Sequence, residues 1–143
     1  MLDVLFSGIL RVHQAIYEAT GGLVGHRLIG VPTLLLRTTG RKTGQTRTAA
    51  LVYAKDGESY VVVGSKGGAD VSPGWFFNAK AKTEVEVQVG RSRTNAKAEP
   101  IQKGDPDYDR LWALTNQNNG NRYNQYQRKT SRPIPLLRLT PTP

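Results

Sequence analysis

The stretch RTTGRKTGQTRT, Arg37 to Thr48, sets the cations Arg37, Arg41, Lys42 and Arg47 around Gly40 and Gly44 with almost no apolar residue among them. Backbone N–H groups of a glycine turn and the side chains of Arg41, Lys42 and Arg47 can converge on one anion, so the stretch reads as a phosphate nest; a solvated basic hairpin loop is the plainer alternative. It is not a Walker loop, because the glycine five residues before the Lys-Thr pair is missing and no helical pattern follows. A second group lies in GSKGGADVSPGWFFNAKA, Gly64 to Ala81. Ser65 offers a hydroxyl, Lys66 an ammonium, and Gly67 and Gly68 a flexible backbone at a strand end. Pro73 then opens a short helix carrying Trp75, Phe76, Phe77 and Asn78. Consecutive aromatics on one short helix cannot all face a single core, so at least one is expected to line a cleft, although Trp75 taken alone can equally be core packing. The third group is NRYNQYQRKTSR, where Tyr123 and Tyr126 share one face if the segment is helical, either as two phenols lining a pocket or as ordinary boundary tyrosines.

What is absent narrows the chemistry. The chain has no cysteine, which removes disulfides, thiolate metal sites and a cysteine nucleophile and fits a reducing cytoplasm. His13 and His26 are the only histidines, so a catalytic zinc site or a histidine-based triad has little to draw on. Lys and Arg total 20 against 11 acidic residues, and the net charge of +9 predicts an anionic partner: nucleic acid, an anionic membrane or a phosphorylated small molecule.

The elements that must position these groups can be read from periodicity. At 143 residues the chain is expected to form one domain, residues 1–143. Leu2, Leu5, Phe6, Ile9, Val12 and Ile16 recur at helical intervals and predict an amphipathic helix from Leu2 to Ala19, packed on the core or resting on a membrane or a partner. His13, close to its apolar stripe, reads as a partly buried residue rather than a ligand. No charged leader precedes that stretch and no apolar run approaches the roughly 20 residues that cross a bilayer, so the chain reads as soluble and cytoplasmic. After GGLVGHRLIG, strands are expected at Thr33–Thr38, Thr48–Ala54 and Ser59–Ser65, forming one antiparallel meander with a hairpin at Asp56-Gly57. A second hairpin joins Glu84–Val89 to Arg93–Ala98 through Gly90. Asp105-Pro106 is expected to cap a helix running to Thr115, and Ile134–Leu139 reads as a last strand. The economical architecture is mainly β with peripheral helices, a small barrel.

Taken in order, TTGRKTGQTR, YVVVGSKGGA, PGWFFNAKA and V.VQV, followed by Y..YQ..T.R.IP, closely resemble the deazaflavin-dependent nitroreductase family, split β-barrel oxidoreductases that use coenzyme F420. The resemblance runs from Leu34 to Leu139 and leaves out the N-terminal helix. It implies that Arg41, Lys42 and Thr43 bind the anionic phosphodiester-and-glutamate tail of that coenzyme, with Arg47 and Lys66 adding positive charge. Thr48, Ala49, Ala50, Leu51 and Val52, with Val63, Gly64, Ser65 and Lys66, would pass along its ring, and the block Gly74, Trp75, Phe76, Phe77 and Asn78 would close over it. Trp75 is the aromatic of that block expected to meet ligand.

The chemistry so implied is hydride transfer from reduced deazaflavin to quinones, activated enones and, in some members, nitroaromatics. Tyr123, Tyr126 and Ser65 are the candidate donors to the acceptor oxygen, and Tyr123 also matches a position that lines the coenzyme and substrate pocket. Two departures stand out. Thr46 replaces a common proline, and Gly120 stands where relatives that reduce bulky nitroimidazoles carry a tyrosine, which points away from that substrate. Asn116 to Arg122, rich in turn formers, is expected to form a mobile lid. The competing readings are a flavin mononucleotide protein of the same barrel, a deazaflavin carrier without turnover, and a nucleic-acid-binding barrel. Nucleic acid is not expected as a partner. A homodimer is expected by analogy with other split barrels, and peripheral contact with the inner face of the membrane follows only if the N-terminal helix is superficial.

Overall fold

A computed structural model of the chain describes residues 32–143; the expected helix at Leu2–Ala19 and the glycine-rich joint, with His13 and His26, lie outside them. Among the described residues the strands are β1 Thr33–Thr39, β2 Thr46–Val52, β3 Ala54–Asp56, β4 Ser59–Val63, β5 Glu84–Val89, β6 Ser92–Ile101 and β7 Leu136–Pro141. They form a seven-stranded sheet in the order β2-β1-β5-β6-β7-β4-β3, antiparallel at every pairing. Three short helices flank it: α1 Gly74–Ala81, α2 Tyr108–Gln117 and α3 Arg122–Gln127. The architecture is the expected one, mainly β with peripheral helices.

The first three strand segments do not form a meander. The segment expected at Thr48–Ala54 divides at Tyr53: β2 pairs only with β1, whereas β3 pairs with β4 at the far end of the sheet. Tyr53 still donates its backbone N–H to the Pro32 carbonyl at 3.1 Å, continuing the β1 ladder, and the next residue changes partner. Since the two edge strands are successive in the chain, the sheet must curl until its edges meet at Tyr53. That single-residue change of partner makes the sheet a rolled half-barrel.

Both expected hairpins form, with Gly57 at φ +61° and Gly90 at φ +60° supplying the left-handed turn residues. Unbroken apolar runs mark strands covered on both faces. In β4, Val62 joins Leu34, Leu36, Phe76, Ala79, Val85, Val87, Ala96, Ala98, Leu137 and Leu139 on the side of α1. Val61 and Val63 point the other way and pack with Ile101, Tyr108, Leu111, Tyr123, Ile134 and Leu136 under α2 and α3. β4 and β7 therefore form the wall shared by two cores.

Helix α2 begins at Tyr108 rather than at Pro106. Asp105 is spent on its own turn, its carboxylate accepting the Gln102 backbone N–H at 2.7 Å, so its side chain does not cap the helix. The last strand is Leu136–Pro141, two residues later than expected, because Ile134 and Pro135 serve as acceptors from other segments: the Ile134 carbonyl takes the Tyr108 hydroxyl at 2.6 Å and the Pro135 carbonyl the Gly64 N–H at 2.8 Å. Arg110 clasps Asp56 with both terminal nitrogens, at 2.8 and 3.2 Å, and ties α2 to the β3–β4 hairpin.

Candidate active site

The basic loop is shaped by its own backbone. The β1–β2 ladder closes at Thr39 and Thr46; the Gly40 N–H then donates to the Gln45 carbonyl at 2.7 Å and the Gly44 N–H to the Gly40 carbonyl at 2.8 Å. Gly44 sits at φ +73°, and a β-carbon on Gly40 would lie 2.8 Å from Thr43 Oγ1 and 3.1 Å from the Gln45 carbonyl. Both glycines are therefore required by the turn.

Arg41 turns inward. Its backbone N–H and its guanidinium both donate to Asn78 Oδ1, at 3.2 and 2.8 Å, the guanidinium reaches the Gly74 carbonyl at 3.3 Å, and it lies 5.2 Å over the Phe77 ring. Asn78 is buried and passes the connection on to Thr38 Oγ1 at 3.5 Å. Arg41, Gly74, Phe77 and Asn78 are thus one contact group that locks the loop to α1. The acceptors around Arg41 are neutral, so its positive charge is retained. Lys42, Arg47 and Lys66 are exposed, and among the described residues none of them forms an ion pair with a carboxylate. Thr43 is exposed beside them, its hydroxyl accepting the Gln45 N–H at 3.2 Å.

The strand residues expected along a coenzyme ring fall into two kinds. In β2, Thr48, Ala49, Leu51 and Val52 are half-buried and Ala50 is buried, on an edge strand hydrogen-bonded on one side only. Val63, Gly64 and Ser65, at the end of β4, are buried. Gly64 lies in a tight seat: a β-carbon there would sit 3.2 Å from Pro135 Cγ and 3.5 Å from Phe76. The chain then passes through three successive left-handed residues, Lys66 at φ +46°, Gly67 at +66° and Gly68 at +88°. On α1, Phe76 enters the core, while Trp75 and Phe77 pack against it edge-on and stay half-exposed. That division fits the expectation that the aromatics cannot all be core.

The phenols form a separate group. Tyr123 and Tyr126 do share a helix face, with ring centroids 6.2 Å apart, and Trp112 lies 6.5 Å from Tyr123. Tyr123 is only 7% exposed. Burial pushes its hydroxyl up to about 12, against a hydrogen bond to Asn119 that pulls the other way. Tyr126 is half-buried and meets the strand-end loop: a β-carbon on Gly68 would lie 2.6 Å from the Tyr126 carbonyl. No hydrogen bond or ring contact links the tyrosine pair to the basic loop, so among the described residues the expected site residues fall into two separate groups rather than one contact cluster.

Within the segment Asn116 to Arg122, expected as a lid, two asparagine amides are hydrogen-bonded to neighbouring elements. Asn116 Nδ2 donates to the Trp112 carbonyl and its Oδ1 accepts the Asn124 N–H, each at 2.8 Å; Trp112 Nε1 donates to Asn124 Oδ1 at 2.8 Å; Asn118 donates to the Tyr53 carbonyl. The turn-forming amides are the fasteners of the α2–α3 junction. Gly120 and Asn121 both sit at φ +60°, a conformation that a tyrosine at position 120 would adopt only under strain.

One residue that earned no role from the sequence is central here. Arg132 donates to the carbonyls of Ala69 (2.7 Å), Gly64 (3.1 Å), Ser65 (3.1 Å) and Val71 (3.2 Å) and to Ser72 Oγ (3.1 Å). Its signal was the motif YQ..T.R.IP itself, whose polar positions turn out to be a latch.

A curled antiparallel sheet bearing a basic hairpin loop, an aromatic helix and a pair of phenols defines the class: a split β-barrel. Within that class the chain belongs to the F420H(2)-dependent quinone reductase family, whose model matches residues 9–141. It is 55% identical over 133 residues to an F420H(2)-dependent quinone reductase of Mycobacterium tuberculosis, covering 92% of this chain and 89% of that one. Among solved structures it is similar to an F420-H2 dependent reductase, with a TM-score of 0.68 and 33% identity over 76% of this chain and 93% of the other. It is also similar to a domain-swapped dimer, with a TM-score of 0.70 and 29% identity over 93% and 98% of the two chains. The cofactor of the family, reduced F420, suits these residues. Its polyanionic tail requires cations free of carboxylate partners, and Lys42, Arg47 and Lys66 are such cations.

Proposed function

We propose that this chain transfers hydride from reduced coenzyme F420 to a quinone or a related activated enone or nitroaromatic acceptor. The observation that carries the reading is the basic hairpin locked to α1 through Arg41 and Asn78 while Lys42 and Arg47 stay exposed and, among the described residues, form no ion pair. When bound, the coenzyme supplies a hydride from its C5 carbon.

The chain's own residues then do the following. Lys42, Thr43 and Arg47, with Lys66 across the cleft, bind the anionic tail, and the retained charge of Arg41 adds to their field. The half-exposed faces of β2 and Trp75 cover the ring and exclude water, and the backbone from Val63 to Ser65 fixes its edge. Tyr126 Oη donates a hydrogen bond to the acceptor oxygen as negative charge develops on it, with Ser65 Oγ as a second donor. Tyr123, deep in the α2–α3 core and held protonated, supports the position of Tyr126 through their ring contact. Expulsion of water makes each of these contacts stronger than it would be in solvent.

Assembly as a homodimer belongs to this reading, supported by the domain-swapped dimer among the similar structures. Among the described residues no helix is long and apolar enough to cross a membrane. A cytoplasmic enzyme that meets its quinone from the aqueous side is the arrangement proposed.

The test is fluorescence titration with F420, flavin mononucleotide run in parallel, followed by turnover with a soluble quinone. Saturable F420 binding that weakens in the Lys42→Ala, Arg47→Ala double variant is expected, as is a kcat for Tyr126→Phe lowered by about tenfold to a hundredfold. Preference for flavin mononucleotide, or tight F420 binding without reduction of any quinone, would overturn the reading.

A further inference from the structure

Among the described residues, the loop between β4 and α1, Gly64 to Ser72, has no strand partner beyond the bond from the Gly64 N–H to the Pro135 carbonyl. It reverses through three left-handed residues, each of which turns its carbonyl away from any regular ladder. Four of its carbonyls and the Ser72 hydroxyl converge instead on one guanidinium, that of Arg132. Arg132 Nη2 alone meets the Gly64, Ser65 and Val71 carbonyls. A planar fork with five N–H donors can serve such a set; an ammonium, with three donors from one point, cannot.

The other side of Arg132 is tied to the phenol-bearing helix. Gln127, the last residue of α3, donates from Nε2 to the Arg132 carbonyl at 2.7 Å, and its Oε1 accepts the Ile134 N–H at 2.9 Å. A second strut runs in parallel, Thr130 Oγ1 donating to Asp70 Oδ1 at 2.8 Å. The two segments also touch directly, since Gly68 packs against the Tyr126 carbonyl with no room for a β-carbon. A continuous set of hydrogen bonds therefore runs from Gly64 and Ser65, through Arg132 and Gln127, to the turn of helix that carries Tyr126.

We propose that Arg132 is a positioning residue that holds the strand end Gly64–Ser65 and helix α3 in one fixed relation, so that the coenzyme edge and the Tyr126 hydroxyl address the same acceptor. Arg132 itself is directed into the loop and touches neither reactant. The proposal rests on the reading of the site given above. Its consequence is a specific kinetic signature: loosening the latch shifts the two walls relative to each other without removing any cation that binds the tail, so the loss falls on kcat rather than on coenzyme affinity. Misplacement by about 1 Å can cost on the order of a hundredfold in rate.

The experiment compares full-length protein with Arg132→Lys, which keeps the charge and stem, and Arg132→Ala. Amide hydrogen exchange is followed in the free protein, F420 affinity by fluorescence, and kcat and KM with a soluble quinone. In Arg132→Lys, faster exchange is expected in both residues 64–72 and residues 122–127 with β1 and β2 unchanged. F420 affinity should stay within about threefold of the parent while kcat falls by about tenfold or more. Exchange that rises in the loop and leaves α3 untouched would overturn the coupling. So would a weakened F420 affinity with kcat preserved, the mark of a direct tail ligand. A parent protein that fails to oxidise reduced F420 would defeat the functional reading alone, because exchange still decides whether Arg132 joins the two segments.

Discussion

The two loops that flank the proposed cleft, a hairpin turn and a strand-to-helix connection, are closed by different means. The β1–β2 loop, Gly40 to Gln45, is closed by its own backbone bonds within six residues and by the register of the hairpin beneath it. The β4–α1 loop, Gly64 to Ser72, is held by a side chain from position 132, some sixty residues further along the chain. The first loop commits Arg41 to α1 and can still leave Lys42 exposed on it and Arg47 exposed just beyond it, because its turn is closed by backbone bonds. The second gives four of its carbonyls and the Ser72 hydroxyl to one guanidinium, and Lys66 stays exposed on it. Local closure leaves cations free to bind, whereas long-range closure fixes where two walls stand.

That contrast can be broken or sharpened by experiment. The largest effect is expected from Gly68→Ala, which combines a left-handed backbone with a contact 2.6 Å from the Tyr126 carbonyl. A loss of about 3 kcal/mol in urea denaturation is expected, and near-neutrality would show that the loop moves freely against α3.

Next is alkaline pH. Tyr123 and Tyr108 are each pushed up to about 12 in the folded chain, burial being the main cause. In the unfolded chain a phenol loses its proton near 10, so the unfolded state releases protons first and stability falls as pH rises from 10 to 12, after being constant below that window. For Tyr123 the loss should reach about 2–3 kcal/mol, and Tyr123→Phe should remove its share of the slope.

Asn78→Ala, which strips the acceptor from Arg41, should cost about 2 kcal/mol and loosen F420 binding, read by denaturation and titration together. The double change Lys42→Ala, Arg47→Ala should raise the Kd for F420 by about tenfold at low salt, less at high salt, with the melting temperature unmoved. Smallest is Gly44→Ala, equally left-handed but with open space around it, at about 1 kcal/mol. Equal losses at Gly44 and Gly68 would erase the distinction between the two loops.

Much of the site was legible before any coordinates. Glycines beside cations at a hairpin end announce an exposed basic turn, a proline before three aromatics announces a short helix with a divided face, and tyrosines three apart announce a shared surface. The inward turn of Arg41 was not legible, because its partners Gly74 and Asn78 lie more than thirty residues away. The bonding of Asn116 and Asn118 was not legible for a similar reason. Asparagine favours turns whether its amide is solvated or bonded, and only the neighbourhood of Trp112, Asn124 and Tyr53 shows that these amides are in use.

The sequence by itself determined most of the strand segments, both glycine hairpins and the excess of cations at one turn, since these follow from side-chain alternation and backbone freedom over a few residues. Only the tertiary structure decided that the segment around Tyr53 serves both edges of the sheet and that Arg132 is the hub of a loop far from it in the chain. Those outcomes depend on which of many possible partners a strand edge or a guanidinium finally meets, and that choice is made by the closure of the whole sheet around its two cores.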